Sequence, residues 1–153
     1  MTKKVLIRIV EEKDVAALVE LIQKDLGYDD AKEDFIRRQI LKLDANRETV
    51  FVAEIYESVV GFIHVEKYSS IYFGPVGNIL GLAVRESFRN QGIGKQLLAT
   101  AENWTKEKDC IGMRLNSGSS RLNAHEFYRS QGYDSEKKQI RFMNLLIIIQ
   151  IRG

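Results

Sequence analysis

The sequence predicts an α/β protein with a mixed, mostly antiparallel sheet, its elements running β-α-α-β-β-β-α-β-α-β-β. Three observations carry that expectation. A short β-branched run, Val5 to Val10, gives way at Glu11 to apolar residues spaced by three and four. Two such helical stretches precede a block of strands. The stretch NILGLAV, Asn78 to Val84, is apolar on both faces, as a central strand is, and an amphipathic helix follows it.

Each element has its own signal. Val15, Leu18, Val19, Leu21, Ile22 and Leu26 mark the first helix, and Gly27 is its stop. Phe35, Ile36, Ile40, Leu41 and Leu43 mark a second, from about Asp30 to Leu43, whose acidic start suits the positive end of a helix dipole. Thr49 to Tyr56 and Val59 to Tyr68 read as strands around a Glu57-Ser58 hairpin turn, although the favoured glycine is missing. Gly92 to Lys108 is helical, with Ile93, Leu97, Leu98, Ala101 and Trp104 on the buried side. Ile111 to Leu115 is a strand, and Arg121 to Gln131 a short helix closed by Gly132. Tyr133 to Lys138 and Gln139 to Ile149 are expected to finish the chain as an antiparallel pair.

Length and composition bound the rest. At 153 residues, 44% hydrophobic and 29% charged, the chain is expected to be one globular domain over residues 1–153. Its 23 basic and 21 acidic side chains leave a net charge of +2, which argues against a dedicated nucleic-acid binder but not against a local anion site. One cysteine, Cys110, and two histidines, His64 and His125, exclude an internal disulfide and disfavour a zinc site. No apolar run approaches the roughly 20 residues of a membrane span, and none near the start makes a signal-peptide core. The expectation is a cytoplasmic protein with no membrane or nucleic-acid partner.

The informative stretch is LAVRESFRNQGIGKQLLATAENW, Leu82 to Trp104. A strand ends at Val84, and Arg89-Asn90-Gln91-Gly92-Ile93-Gly94 opens a helix. A helix start exposes unpaired N–H groups and a partial positive charge. Glycines there let the backbone approach an anion, and Arg89 and Lys95 add charge. This builds a pyrophosphate cradle. Gln96 after Lys95 excludes a Walker A loop, and Gln96-Leu97 after Gly94-Lys95 excludes the dinucleotide fingerprint.

The stretch resembles the acetyl-CoA loop of the GNAT superfamily of N-acetyltransferases, whose signature is Arg/Gln-x-x-Gly-x-Gly/Ala. Further on, Ala124-His125-Glu126-Phe127-Tyr128 and Gly132-Tyr133 resemble the Ala-His-x-Phe-Tyr element of the same superfamily, in its small-amine type. The two motifs stand in family order, and the resemblance covers nearly the whole chain. It implies a GNAT-like sheet whose splayed central parallel pair holds acetyl-CoA. It assigns Leu82, Ala83 and Val84 to backbone contacts with the pantetheine arm. It assigns Arg89, Asn90, Gln91, Gly92, Ile93, Gly94 and Lys95 to the pyrophosphate. Tyr128 matches the tyrosine that protonates the departing thiolate, and a phenol of pKa about 10 holds its proton at neutral pH. Asn123 is a candidate cofactor contact, with a helix cap as the competing role.

One position departs from the family. Where many relatives carry a basic glutamate at the start of the central strand, this chain has Asn78, and an amide accepts no proton. Gly81 also stands where relatives often place an acidic residue. Glu66 and His64, which share a strand face, are candidate bases, with Glu54 a third and Asn78 a candidate to hold a water on the substrate side. Asp25, Tyr28, Asp29, Asp30 and Asp34 are a candidate amine-attracting rim, and an acidic helix start explains the aspartates equally well. Cys110 reads as a buried apolar thiol rather than a nucleophile. Phe142 to Ile149 is either a strand buried on both faces or a homodimer contact.

The expected function is direct transfer of an acetyl group from acetyl-CoA to a primary amine of a small molecule. The alternatives are a CoA-binding regulatory module that has lost catalysis and a protein N-acetyltransferase.

Overall fold

The computed structural model describes residues 4–135 and 137–147. The chain divides into two compact units, Met1–Leu115 and Asn116–Gly153.

The first unit is built on one five-stranded sheet. Its strands are β1 (Leu6–Ile9), β2 (Glu48–Ile55), β3 (Ser58–Tyr68), β4 (Val76–Val84) and β5 (Met113–Leu115), lying side by side in that order. β1 to β4 pair antiparallel and β4 with β5 parallel. The fold class is the one the sequence predicts.

Helices α1 (Val15–Asp25) and α2 (Glu33–Leu41) cover one face. There Val15, Leu18, Leu21 and Ile36 pack on Val50, Val52, Phe62 and Ala83. α1 ends as Gly27 suggests. The Leu26 N–H bonds to Leu21 O and the Tyr28 N–H to Ile22 O, while Gly27 takes φ +79°, a glycine-terminated cap that leaves the helix end fixed.

Helix α3 (Ile93–Glu107) lies on the opposite face and buries Ile93, Leu97, Leu98, Ala101 and Thr105. Its approach is close enough to demand glycine in the sheet. A Cβ on Gly77 would collide with Thr105 Oγ1 and Cγ2.

Three expectations are corrected. The β2–β3 turn is Tyr56-Glu57, not Glu57-Ser58, and both residues take positive φ (50° and 67°). Such a two-residue turn follows the twist of its strands, and here it does so without the usual glycine. The last two strands do not form: residues 133–135 and 137–147 carry no strand, and position 136 and the end of the second run lie outside the described residues. Ile140, Phe142 and Leu146 are at least 80% exposed, so burial contributes nothing to offset the ordering of a two-stranded ribbon. Among the described residues the parallel pair therefore stands at the sheet edge, not at its centre. The third correction concerns Asn123. In the second unit, helix α4 (Leu122–Ser130) takes Arg121 as its N-cap with no side-chain cap. Asn123 is inside the first turn, where helical backbone precludes the cap role.

Candidate active site

β4 changes face in its middle. Opposite β3, His64 pairs with Gly81 and Val65 with Ile79, so Leu80 is an extra residue, a β-bulge. Before the bulge Gly77 points at α3; after it Gly81 lies near Leu26 and Phe62, and Ala83 joins the cluster under α1 and α2. The bulge thus puts Asn78 and Gly81 on one face. It also coincides with the end of the parallel ladder, which spans Gly77↔Met113 to Ile79↔Leu115 while β4 runs on to Val84.

The open stretch has an alternating edge. The Arg85 N–H bonds to Val60 O at 2.7 Å, which makes Val60 and Arg85 a hydrogen-bonded pair. Two residues back, Ala83 exchanges its backbone bonds with Phe62. Leu82 and Val84 therefore present their N–H and C=O groups to the open side. The expected backbone contact from Ala83 is corrected on that ground: its polar groups belong to β3.

β4 leads through a 3-10 turn (Glu86–Phe88) into the loop. Asn90 (φ +61°) and Gly92 (φ +82°) are left-handed, and Gly92 is the N-cap of α3, with no side-chain cap. The Gln96 N–H closes the first helical bond, to Gly92 O at 3.0 Å. The N–H groups of Ile93, Gly94 and Lys95 precede it, at the positive end of a fifteen-residue helix. A left-handed residue followed by a helical one turns successive N–H groups into one concavity, suited to an anion. Lys95 is exposed in that first turn.

Arg89 points elsewhere. Its Nε donates to Val84 O at 3.0 Å and its Nη2 to Asp25 Oδ1 at 2.6 Å. That pairing removes Asp25 from the candidate rim, and Asp34 lies 3.6 Å from Arg37.

The sequence-predicted polar residues of β3 and β4 lie on either side of the bulge. Asn78, which is buried, donates to Glu66 Oε2 at 2.7 Å and accepts from Arg114 Nη1 at 2.8 Å. Arg114 also lies over the Tyr68 ring, 4.9 Å from its centroid. His64 Nε2 is 2.8 Å from Glu48 Oε1. Glu48 and Glu66 face each other across β2 and β3, an arrangement of like charges that costs stability unless each is partnered. His64 and Asn78 supply those partners. Glu54 is at the other end of β2, 2.6 Å from Arg8, which removes it as a candidate base.

In the second unit Tyr128 is half-buried, its ring 5.2 Å from Phe127 and 5.9 Å from Tyr133. Burial pushes its phenol above the ordinary value of 10.0, and the Arg121 charge opposes that only in part. His125 Nε2 lies 2.9 Å from Gly118 O and ties the helix to the preceding loop. Cys110 is half-buried, and burial raises its thiol, as for a structural cysteine.

The profile of the acetyltransferase (GNAT) family matches residues 15–133. The chain belongs to that family. It is therefore an acyltransferase, with relatives named N-acetyltransferases. It is 30% identical over 132 residues to an aminoalkylphosphonate N-acetyltransferase of Salmonella typhimurium, covering 86% of this chain and 82% of that one. It is 28% identical over 68 residues to an aminoglycoside N(6')-acetyltransferase of Stenotrophomonas maltophilia, 44% of each chain. An aminoglycoside N-acetyltransferase solved with CoA superposes with a TM-score of 0.82 over 94% of this chain and 97% of its own, at 19% identity, a likeness of fold alone.

Four features of this GNAT site escaped the sequence reading. The β4 bulge leaves no residue signature. Arg114 sits in a strand too short to show its face. Glu48 belongs to no motif and gains a role only beside His64, 16 residues away. Asp25 reads as part of an amine-attracting rim because its partner, Arg89, is 64 residues away.

Proposed function

We propose that this GNAT protein transfers an acetyl group from acetyl-CoA directly to a primary amine of a small molecule. One observation carries the reading. The open edge of β4 outruns β5 and leads directly to an uncapped helix N-terminus with left-handed Asn90 and Gly92. This fits CoA in two respects: the amide-bearing pantetheine arm matches a peptide-like strand edge, and the pyrophosphate matches the N–H concavity.

The residues that hold the arm are Leu82 and Val84, through their backbone; those that hold the pyrophosphate are Gly92, Ile93, Gly94 and Lys95. Acetyl-CoA supplies an acetyl group activated as a thioester. The protein supplies proton management. Tyr128 keeps its proton at neutral pH and holds it for the leaving sulfur. Glu66 is the base, because Asn78, in the family glutamate's position, donates to it. The carboxylate that is missing from β4 is thus provided by the neighbouring strand. Glu66 is a carboxylate able to take a proton from the acceptor ammonium directly or through one water, and Asn78 fixes one of its oxygens. His64, backed by Glu48, is the competing base.

The relatives' names support an amine acceptor, and the carboxylates Glu48 and Glu66 favour a cationic one. The test is release of free thiol from acetyl-CoA across a panel of aminoglycosides, polyamines, aminoalkylphosphonates and a lysine-bearing peptide. Amine-dependent release with a small amine supports the reading. Turnover only with the peptide indicates a protein N-acetyltransferase. The Asn78 amide favours one further reading, a CoA-binding module without catalysis, for which the panel would give binding and no turnover.

A further inference from the structure

We infer that Asp25, at the end of α1, is a positioning residue for cofactor binding, acting through Arg89 on the open edge of β4. The inference rests on the reading of that edge and loop as the CoA site.

Asp25 is in an unfavourable place. It is the last residue of α1, where the helix dipole presents its negative end and a carboxylate is disfavoured. Its side chain is only 8% exposed. A buried carboxylate against a helix C-terminus needs a strong partner, and Arg89 Nη2 provides it at 2.6 Å, a charge-assisted bond at the short end of the range. The glycine-terminated cap formed by Leu26, Gly27 and Tyr28 fixes the helix end, so the carboxylate is a rigid anchor.

The other arm of the guanidinium decides the consequence. Arg89 Nε donates to Val84 O at 3.0 Å. That carbonyl belongs to the same peptide as the Arg85 N–H, which points into β3 at Val60, so the carbonyl points to the open side of β4. Arg89 therefore caps the last carbonyl of the open edge and leaves the Leu82 groups and the Val84 N–H for a ligand. The same side chain fixes the start of the loop, one residue before left-handed Asn90. One terminal nitrogen, Nη2, and Nε, held in a planar fork, make this bracket; a lysine amine cannot span it. Next to Asp25, Leu26 comes within 3.5 Å of a Cβ placed on Gly81, so the α1 end touches β4 at the bulge as well.

On this account the motif arginine does not serve as a free phosphate ligand. Its charge is spent on Asp25, and the anion is met by backbone N–H groups and Lys95.

The test compares the wild type with Asp25→Ala, Asp25→Asn, Arg89→Gln and the double variant Asp25→Ala/Arg89→Gln. CoA affinity is measured by calorimetry, KM for acetyl-CoA and kcat by thiol release, and folding by thermal melting. Asp25→Ala and Arg89→Gln should each weaken CoA binding by roughly tenfold, the double variant no more than either, because both break one bracket. KM for acetyl-CoA should rise with the loss of affinity while kcat stays within about twofold, as for lost uniform binding. Asp25→Asn, which keeps an acceptor oxygen in place, should fall between. Asp25→Ala that binds CoA as tightly as the wild type, or more tightly, while Arg89→Gln binds weakly would overturn the inference by making Arg89 the phosphate ligand. Additive losses, or losses of affinity that follow melting temperature across all variants, would overturn it too. A wild type that binds no CoA overturns the site reading itself, a result distinct from all of these.

Discussion

Asn78 donates its side-chain amide to Glu66 Oε2 across the β3–β4 pair at 2.7 Å, with Arg114 on the other side of the same amide at 2.8 Å. The amide is buried and its two polar ends are both engaged, so it aligns rather than reacts. Glu66→Gln should lower kcat by about a hundredfold and remove the acidic limb of the pH–rate profile, within the range general-base loss commonly costs. His64→Ala should leave that limb in place. The opposite pattern in the two profiles would move the base to the His64–Glu48 pair.

Tyr128 gives a second, independent handle. Tyr128→Phe should cut kcat by about a hundredfold or more, with CoA affinity changed less than about twofold, since the ring is kept and only the proton is lost. Burial raises the phenol above its ordinary 10.0, so any alkaline limb due to this residue lies above pH 10, and Tyr128→Phe should lack it. Calorimetry with CoA beside pH–rate measurements separates the two effects.

The packing of α3 is tested at Gly77. An added methyl would collide with Thr105 and come 2.9 Å from Met113 Sδ, so Gly77→Ala should cost roughly 1–3 kcal/mol in urea unfolding, as over-packing does. Thr105→Ala should recover part of that loss, because Thr105 contributes the nearest atoms and its hydroxyl bonds back to Ala101 O within the helix. Additive losses in the double variant would mean that the two residues do not share the space.

Arg8 ties the edge strand to the start of α1. It bonds Asp14 through both terminal nitrogens, at 2.8 and 2.9 Å, and Glu54 through Nε. Burial alone would raise the Asp14 carboxyl, but the Arg8 bonds, the Glu11 N–H and the nearby charges bring it below its ordinary value. The folded value lies below the unfolded one. This contribution to stability is therefore complete above about pH 4 and is lost as pH falls through the folded value. Asp14→Asn should flatten the acid side of the stability curve, measured as urea midpoints between neutral and acid pH. Arg8→Ala should cost roughly 3 kcal/mol, because it leaves a carboxylate that is 3% exposed without its partner.

Much of this was legible in the residues. Gly27, Gly92 and Gly132 mark helix ends where left-handed backbone is required, and all three take positive φ. The order of strand, loop and helix from Asn78 to Lys108 was readable because each part has a local signal. What escaped was non-local. A bulge at Leu80 depends on how two strands pair, so alternation counted along one strand gives the wrong face beyond it. The pairs Asp25–Arg89 and Glu48–His64 join elements that periodicity describes one at a time. Ile140, Phe142 and Ile147 show the converse: β-branched and aromatic residues express a fit to a half-buried pleated surface and do not create one.

The most direct test of the central claim is to follow the backbone amides of the protein by NMR as CoA is added. The N–H signals of Gly92, Ile93, Gly94 and Lys95 should move most, with Leu82 and Val84 next and Ala83 little changed. Saturable CoA binding that leaves the start of α3 unperturbed and shifts amides elsewhere, or no binding at all, would contradict it.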